Sequence, residues 1–537
     1  MKYKIALISI IALAFFLRFW QLGANPASLD WDEASLGYNA YSILKTGRDE
    51  YGRFLPLSIK SFGDYKPPLY SYLTIIPVAI LGLTEFSTRF TSAFFGFLAV
   101  IVAYFLIKEL FPKRSRRFYL FFTFLFSISP WQIQFSRVAF EANLGLFFFM
   151  GGVLFFLKGL RKKLWYLFSA FFFALSIYAY HSPRLISPLM LLGLLFIFRK
   201  YVVKNLKWLV VSIVVLGFLV APVYIEMRTT GARLGSVTIM NDQERLGNSI
   251  GKIEFDRGRS DLLGVLTHNR RVVYGFDILA GYLDHFNFDF LFLYGDAPGR
   301  HHALNMGMLY LWTLPFILFG FYYMLNHRDE RACVIFLWFL LAPAAASITT
   351  GTPHAVRSLE FIPTYQIFTA VGFFELLYIL REKIRPEFYK SFVSLAVFLL
   401  LVNFFYYMQM YWVHTPVMDS QSWQYGYKQA VTVVDKYASN YKRIIVTYRY
   451  DQPYVFFLFY NKTDPVWYQK NWGSGQIQRA NRSFGKYEFR NIDWAIDSKL
   501  SDTLLVGTPD EIPPGAGKLL SEIHFLDGSV AFRIVGR

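Results

Sequence analysis

The chain has 537 residues, 55% of them hydrophobic and 20% aromatic, with 58 Phe. An ordinary soluble domain is only about 45–50% apolar, so a wholly soluble protein is excluded. The formal net charge of +18 would suit a nucleic-acid binder. Its Lys and Arg, however, lie beside long apolar runs, the pattern of the cytoplasmic ends of membrane helices, and no nucleic-acid partner is expected. The single cysteine, Cys333, excludes a disulfide framework and a cysteine-based metal site.

The N-terminus, Met1-Lys-Tyr-Lys followed by the apolar run Ile5–Trp20, has the outline of a signal peptide. The run is long, is bounded by Arg18 and Trp20, and lacks a clear small-x-small cleavage site, so it reads as a first anchoring helix, 4–20. A spanning helix needs ~20 mostly apolar residues. Further candidates are 90–107, 118–135, 142–158, 164–180, 184–198, 208–225, 306–325, 332–349, 358–380 and 391–410, eleven in all. The remaining apolar segment, 68–83, is short and contains Pro77, which predicts a re-entrant or interfacial helix.

Charge bias supports that division. With the N-terminus inside and 68–83 omitted, the cytoplasmic loops are Lys108–Arg117, Lys158–Lys163, Arg199–Lys207, Asn326–Arg331 and Arg381–Lys390, each with Lys or Arg clustered. The opposite short loops carry one Arg each: Arg137, Arg184 and Arg357. The expected protein is therefore a multi-pass α-helical protein of the cell membrane, with residues 1–410 as membrane domain. Its outer segments are a first loop (21–89), a central loop (226–305) and the tail (411–537). Strand-like runs at Arg443–Tyr448, Thr503–Val506 and Ser529–Val535, with a helix over 423–438, predict a small extracytoplasmic α/β domain in the tail.

The first outer loop holds the densest polar pattern. In Leu29-Asp-Trp-Asp-Glu-Ala-Ser, Asp30 or Asp32 can cap a helix whose positive N-terminal end suits acidic side chains. Ala34, Tyr38, Tyr41 and Leu44 share one face and Gly47 can end it, so the helix is expected on the membrane surface. Asp32 and Glu33 read equally as first-turn residues. Then Ser61-Phe-Gly-Asp-Tyr-Lys-Pro-Pro-Leu-Tyr holds Asp64 and Lys66 at an extended entry, fixed by Pro67-Pro68, into the short apolar segment.

An acidic pair after the first span, then Lys66-Pro-Pro-Leu at a second surface helix, resembles the C-type glycosyltransferases (GT-C). The nearest branch is the bacterial one related to protein O-mannosyltransferases and lipid A aminoarabinose transferases. Ser136-Arg137 with Glu141, His181-Ser-Pro-Arg184, Gly295-Asp-Ala-Pro-Gly-Arg300-His-His302 and Pro353-His354-Ala-Val-Arg357 match in order. The resemblance implies transfer of a sugar from a polyprenyl-phosphate donor to a lipid, glycan or protein acceptor on the outer face, with inversion. It places Asp32 at the catalytic centre with Glu33 beside it. Relatives often carry an acidic residue directly before the Lys; here Tyr65 stands there and Asp64 is one step earlier.

The chemistry suits these residue types. A carboxylate facing the anomeric carbon can accept an acceptor hydroxyl's proton, an effect typically worth ~10²–10⁴-fold. Where the acceptor is itself a phosphate, the carboxylate orients it or stabilises the cationic transition state. Phosphate calls for Lys or Arg outside the hydrocarbon, and the topology supplies Lys66, Arg137, Arg184, Arg300 and Arg357, with Lys66 and Arg357 foremost. Snorkelling anchors are the plain alternative. Glu141 can orient Arg137, and His181 and His354 flank Arg-bearing turns. His285, Asp289, His301 and His302, with Asp284 and Asp296, show no spacing such as HExxH, and a divalent metal stays open. A secondary transporter would place charges mid-span and repeat its halves, neither of which is seen. A scaffold or sensor would leave Asp32 and Lys66 without a purpose.

Overall fold

A computed structural model describes residues 1–229, 238–241, 243–473 and 481–537. Parts of the predicted central loop (230–237 and 242) and of the tail (474–480) lie outside the described residues. The predicted apolar segments are helical: α1 (Lys2–Phe19), α4 (Glu85–Leu110), α7 (Glu141–Gly159), α8 (Trp165–Ala179), α9 (Ser182–Ile197) and the helices Leu206–Thr229, Leu314–Asn326, Ile362–Lys383 and Pro386–Gln409. Among the described residues, six helical stretches are long and apolar enough to cross a membrane: Glu85–Leu110, Glu141–Gly159, Arg199–Arg228, Glu330–Ser347, Leu359–Lys383 and Pro386–Met418. The protein is a polytopic helical membrane protein.

Local chemistry breaks three of the predicted spans. Segment 118–135 divides into α5 (Arg116–Ser127) and α6 (Pro130–Arg137), because Ser129 caps a new helix with Pro130 in its first turn. Segment 332–349 is Glu330–Leu341 and Ala344–Ser347, parted at Pro343. Segment 306–325 is regular only from Leu314, after a single 3₁₀ turn at Leu311–Thr313. The short segment 68–83 forms α3 (Leu69–Leu81), with Tyr70, Thr74 and Val78 packed inward and Ile76 and Ile80 outward.

Close backbone approach holds the bundle. A Cβ at Gly320 would meet the Phe368 carbonyl and lie 2.8 Å from the Gly372 nitrogen, so two helices touch where small residues face each other. The loops sort to opposite ends of α4. At its C-terminal end Arg114 pairs with Glu375 and Arg161 with Glu109. At its N-terminal end gather α2 (Trp31–Thr46), the hairpin β1 (Ile59–Ser61) with β2 (Asp64–Lys66), and the turns after α6, α8 and Ser347.

The tail carries a six-stranded sheet. In chain order the strands are β3 (Arg443–Val446), β4 (Arg482–Phe484), β5 (Tyr487–Phe489), β6 (Thr503–Gly507), β7 (Lys518–His524) and β8 (Val530–Gly536). Their spatial order is β4-β5-β3-β6-β8-β7, parallel across β5-β3-β6 and antiparallel elsewhere. Two findings differ from the sequence reading. The 410/411 division falls inside a continuous helical run, Pro386–Met418. The Ala34–Tyr38 face of α2, expected against the membrane, is buried in one apolar cluster with Phe456, Phe457 and Tyr468 of the tail. Tyr38 donates to the Thr463 carbonyl at 3.1 Å and meets Tyr468 edge-on.

Candidate functional site

The site is built around the N-terminus of α2. Asp30 is the cap: its Oδ1 accepts from Glu33 N at 2.8 Å, and Glu33 Oε2 accepts from Asp30 N at 3.2 Å, a reciprocal capping box. Gln424 of the tail accepts from Trp31 N at 2.8 Å, so the tail touches the same turn. Glu33 is fully buried and turned inward. It takes Arg89 Nε and Nη2 at 2.8 Å each and Ala139 N at 2.8 Å. Arg89 also donates to the carbonyls of Pro26 and Ser28. Glu33 and Arg89 thus clamp α2 to α4, to the turn before it and to the turn after α6.

Asp32 points the other way. Its side chain retains 32% exposure and pairs with the ammonium of Lys66, which is 7% exposed and lies 5.3 Å from the Phe62 ring centre. The β1–β2 hairpin and Pro67-Pro68 deliver that lysine across the site. Burial works to lower the Lys66 pKa, but Asp32, Glu141 and Asp30 outweigh it and hold it above its ordinary value. Asp30 is pushed up to about 7, chiefly by burial, with Arg300 opposing and Asp32 and Glu33 adding to the rise. Arg300 reaches Asp30 at 3.2 Å and stacks 4.2 Å over Trp31, which brings the central loop to the same turn. Glu141 is buried at the head of α7 within electrostatic reach of Lys66.

One turn along α7, Gly145 packs under Tyr180 and Pro183, which seats the 181–184 turn close to Glu141. His181 and Arg184 meet at 3.0 Å there. With Arg357, Tyr224, Met227, Ala345 and Thr349 they line an open-mouthed apolar cavity of about 270 Å³. Arg357 is steadied by Thr349 Oγ1 at 2.6 Å and the Thr350 carbonyl at 2.9 Å. Asp32 and Lys66 do not line this cavity.

The central loop and the turn before Arg357 form a third group. Asp296, His301 and His354 bring ligand atoms within 4.8 Å of one another. His301 Nδ1 is 2.6 Å from Asp296 Oδ2, which also accepts from Ala355 N at 2.9 Å. Asp296 Oδ1 is buried with no hydrogen-bond partner among the described residues. Burial would raise the Asp296 carboxyl, but His301 and the Ala355 N–H hold it below the usual range. Two imidazoles and a carboxylate suit a divalent cation such as zinc or manganese. Of the other central-loop residues, His285 is buried and structural. It accepts from His354 N through Nε2 and donates from Nδ1 to the Gly281 carbonyl, and burial lowers its pKa. His302 contacts the Asp296 and Ala303 carbonyls, Asp284 holds Thr352, and Asp289 is exposed.

Some expected roles change. Arg137 is fully buried and spends its donors on Tyr411 Oη, the Leu17 carbonyl and the Asn25 carbonyl, so it is withdrawn from the phosphate-binding set. Glu141 acts electrostatically on Lys66 and helps to raise its pKa. Asp64 accepts from Tyr65 N at 2.7 Å and the Tyr65 ring lies 5.5 Å from the Arg53 guanidinium, which leaves both on the hairpin. Sequence reasoning missed Arg89, Asp30 as a buried acid, Gln424, and the Asp296–His301–His354 grouping. Arg89 carried a signal, as a charge within the first turn or two of a spanning helix, and His301 with Asp296 carried one as part of the central-loop cluster, to which the fold adds His354.

The model of the family described as dolichyl-phosphate-mannose-protein mannosyltransferase matches residues 65–225, from the residue before Lys66 into the helix Leu206–Thr229. No curated protein matches the chain. Among solved structures, ArnT from Cupriavidus metallidurans in the apo state superposes with a TM-score of 0.56 at 12% identity, covering 98% of this chain and 97% of that one. The same protein bound to undecaprenyl phosphate gives 0.55 at 12% identity with the same coverage, 98% and 97%. The oligosaccharyltransferase AglB from Archaeoglobus fulgidus, in complex with an inhibitory peptide and a dolichol-phosphate, gives 0.51 at 12% identity, covering 95% of this chain and 70% of that one. The chain shares the fold of ArnT over nearly its whole length, tail included, and the resemblance read from the sequence is borne out.

Proposed function

We propose, with the GT-C fold as premise, that this protein is a glycosyltransferase that moves a sugar from a polyprenyl-phosphate donor to an acceptor on the extracytoplasmic side. The N-terminus and the basic loops are then cytoplasmic, and the tail is outside. The observation that carries the reading is the pairing of Asp32, a partly exposed carboxylate at the N-terminus of α2, with Lys66 at the head of an apolar surface helix.

Lys66 offers three N–H donors and can hold the donor's phosphate while still touching Asp32. Arg184 and Arg357 edge the neighbouring apolar cavity, where bidentate donors would serve a second phosphate oxygen or the acceptor. The acceptor oxygen bonds to the anomeric carbon as the carbon–phosphate-oxygen bond breaks. The electron pair leaves on the phosphate, and Asp32 takes the acceptor hydroxyl's proton. Attack opposite the leaving group inverts the anomeric centre. Glu33 and Arg89 hold α2 in place, and Asp30 with Arg300 fixes its first turn. Asp296, His301 and His354 would hold a divalent cation, which when bound supplies positive charge beside the acceptor.

The test is turnover. The purified protein in nanodiscs, given polyprenyl phosphates loaded with labelled hexoses or pentoses, is expected to release or transfer sugar from at least one donor. Absence of both from every donor, with the protein folded, overturns the enzyme reading.

A further inference from the structure

The central outer loop contains a helical hairpin made of Gln243–Gly258, Leu262–Thr267 and Arg270–Asp284. Its interior is polar. Asp256 meets His268 at 2.5 Å, Ser249 donates to the His268 carbonyl at 2.7 Å, and Arg245 pairs with Asp277 at 2.9 Å. One exterior face is apolar, while Asn248, Lys252 and Glu254 are exposed elsewhere on the first helix. Val272, Phe276, Leu279 and Leu283 form one stripe at helical spacing, with Phe276 66% exposed. At the turn, Leu262, Leu263 and Leu266 stand out at 78%, 74% and 65% exposure. A water-soluble hairpin would show the reverse arrangement.

Two observations say what covers this face. The turn from 257 to 271 carries exposed Arg257, Arg259, Arg270 and Arg271 against the single Asp261. Such a patch repels a second copy of itself and attracts anionic headgroups. The stripe is also continuous with a spanning helix. Tyr282 donates to the Leu340 carbonyl at 2.8 Å, and Leu340 is itself an outward side chain on the Glu330–Ser347 stretch. Leu279 and Leu283 therefore extend the surface that the spans present to lipid.

We propose that the hairpin 243–284 is a membrane foot, with the stripe and the leucine turn inserted among acyl chains and the four arginines bound to anionic lipid headgroups. The foot also reaches the site. Gly281 lies 3.1 Å, by its projected Cβ, from Thr352, Asp284 accepts from Thr352 Oγ1 at 2.9 Å, and His285 accepts from His354 N at 3.1 Å. Seating the hairpin in lipid thereby sets the 349–357 loop that carries Arg357. The proposal does not depend on the glycosyltransferase reading, because its readout is lipid contact and not turnover.

The test uses the full chain with Cys333→Ala, reconstituted in vesicles of three parts phosphatidylcholine to one part phosphatidylglycerol, with one nitroxide per sample at Leu263→Cys, Phe276→Cys or Leu279→Cys. Asn248→Cys and Glu254→Cys serve as polar controls. Relaxation by oxygen with exclusion of a water-soluble nickel chelate is expected at the three apolar positions, and the opposite at the controls. Nickel access at the apolar positions overturns the proposal, and so does exclusion of both agents, which would mean a protein partner. Arg270→Gln with Arg271→Gln is expected to reduce the depth in these vesicles but not in pure phosphatidylcholine. Equal depth in both overturns the headgroup assignment.

Discussion

Neighbouring carboxylates at the start of α2 should fail in different ways, and Glu33 gives the sharper stability prediction. Glu33→Gln keeps an acceptor for only one of Ala139 N, which bonds Oε1, and Asp30 N, which bonds Oε2, and it removes the charge facing Arg89; both side chains are 0% exposed. Stranding one member of a buried pair typically costs ~3–5 kcal/mol. That corresponds to a roughly 10²- to 10⁴-fold fall in the folded-to-unfolded ratio. Arg89→Met strands Glu33 by a similar amount and also leaves the Pro26 and Ser28 carbonyls without their donor. The double variant removes both charges, so its loss should fall short of the two single losses added together by at least ~2 kcal/mol. Asp32→Asn should cost less, because Asp32 is a third exposed and Glu141 and Asp30 still face Lys66. Equilibrium unfolding in mixed micelles, followed by tryptophan fluorescence, measures all four. Additivity of Glu33→Gln and Arg89→Met within ~0.5 kcal/mol would refute the clamp.

Asp30 and Glu50, a buried acid beyond the end of α2 that accepts from Tyr454 Oη at 3.1 Å, are both raised to about 7, with burial the first cause for each. A carboxyl whose folded pKa is raised contributes stability that is full below its unfolded value near ~4 and is lost as pH rises through about 7. Glu50→Gln should therefore gain on the wild type between pH 4 and 8, by about 3 kcal/mol, and Asp30→Asn, which keeps its capping ability, should shift the same way. A pH-independent difference in unfolding free energy would contradict this. Gly320→Leu should lower the melting temperature and loosen the bundle, with overpacking typically costing ~1–3 kcal/mol, because its side chain meets the Phe368 carbonyl; an unchanged melting temperature counts against that crossing. Zinc or manganese added to metal-stripped protein should raise the melting temperature, and His301→Ala should abolish the rise; an equal rise in both would remove Asp296, His301 and His354 as the ligands.

Much of the architecture was legible because hydrophobic runs and basic clusters are local signals. A cap at Asp30 or Asp32, which the fold settles as Asp30, and termination at Gly47, which takes φ 68°, were likewise readable from residue type. The Ser129-Pro130 restart was present in the sequence but masked by a continuous apolar run. The strands β4, β5 and β7 were missed because the first two are three residues long and β7 is a largely exposed edge strand. The site was legible only as a list of charges. Which carboxylate turns to Lys66 and which to Arg89 is decided by the helix's rotation against α4, and sequence spacing does not encode it. For the same reason Arg137 looked available, although tertiary packing closes it beneath Tyr411 and Trp412.

The most direct measurement is the rate of sugar transfer from the active polyprenyl-phosphate donor by Asp32→Asn, with its folding verified against the wild type. The account predicts a loss of roughly 10²–10⁴-fold with a hydroxyl acceptor, while the folded fraction is kept. Transfer at the wild-type rate by folded Asp32→Asn would contradict it.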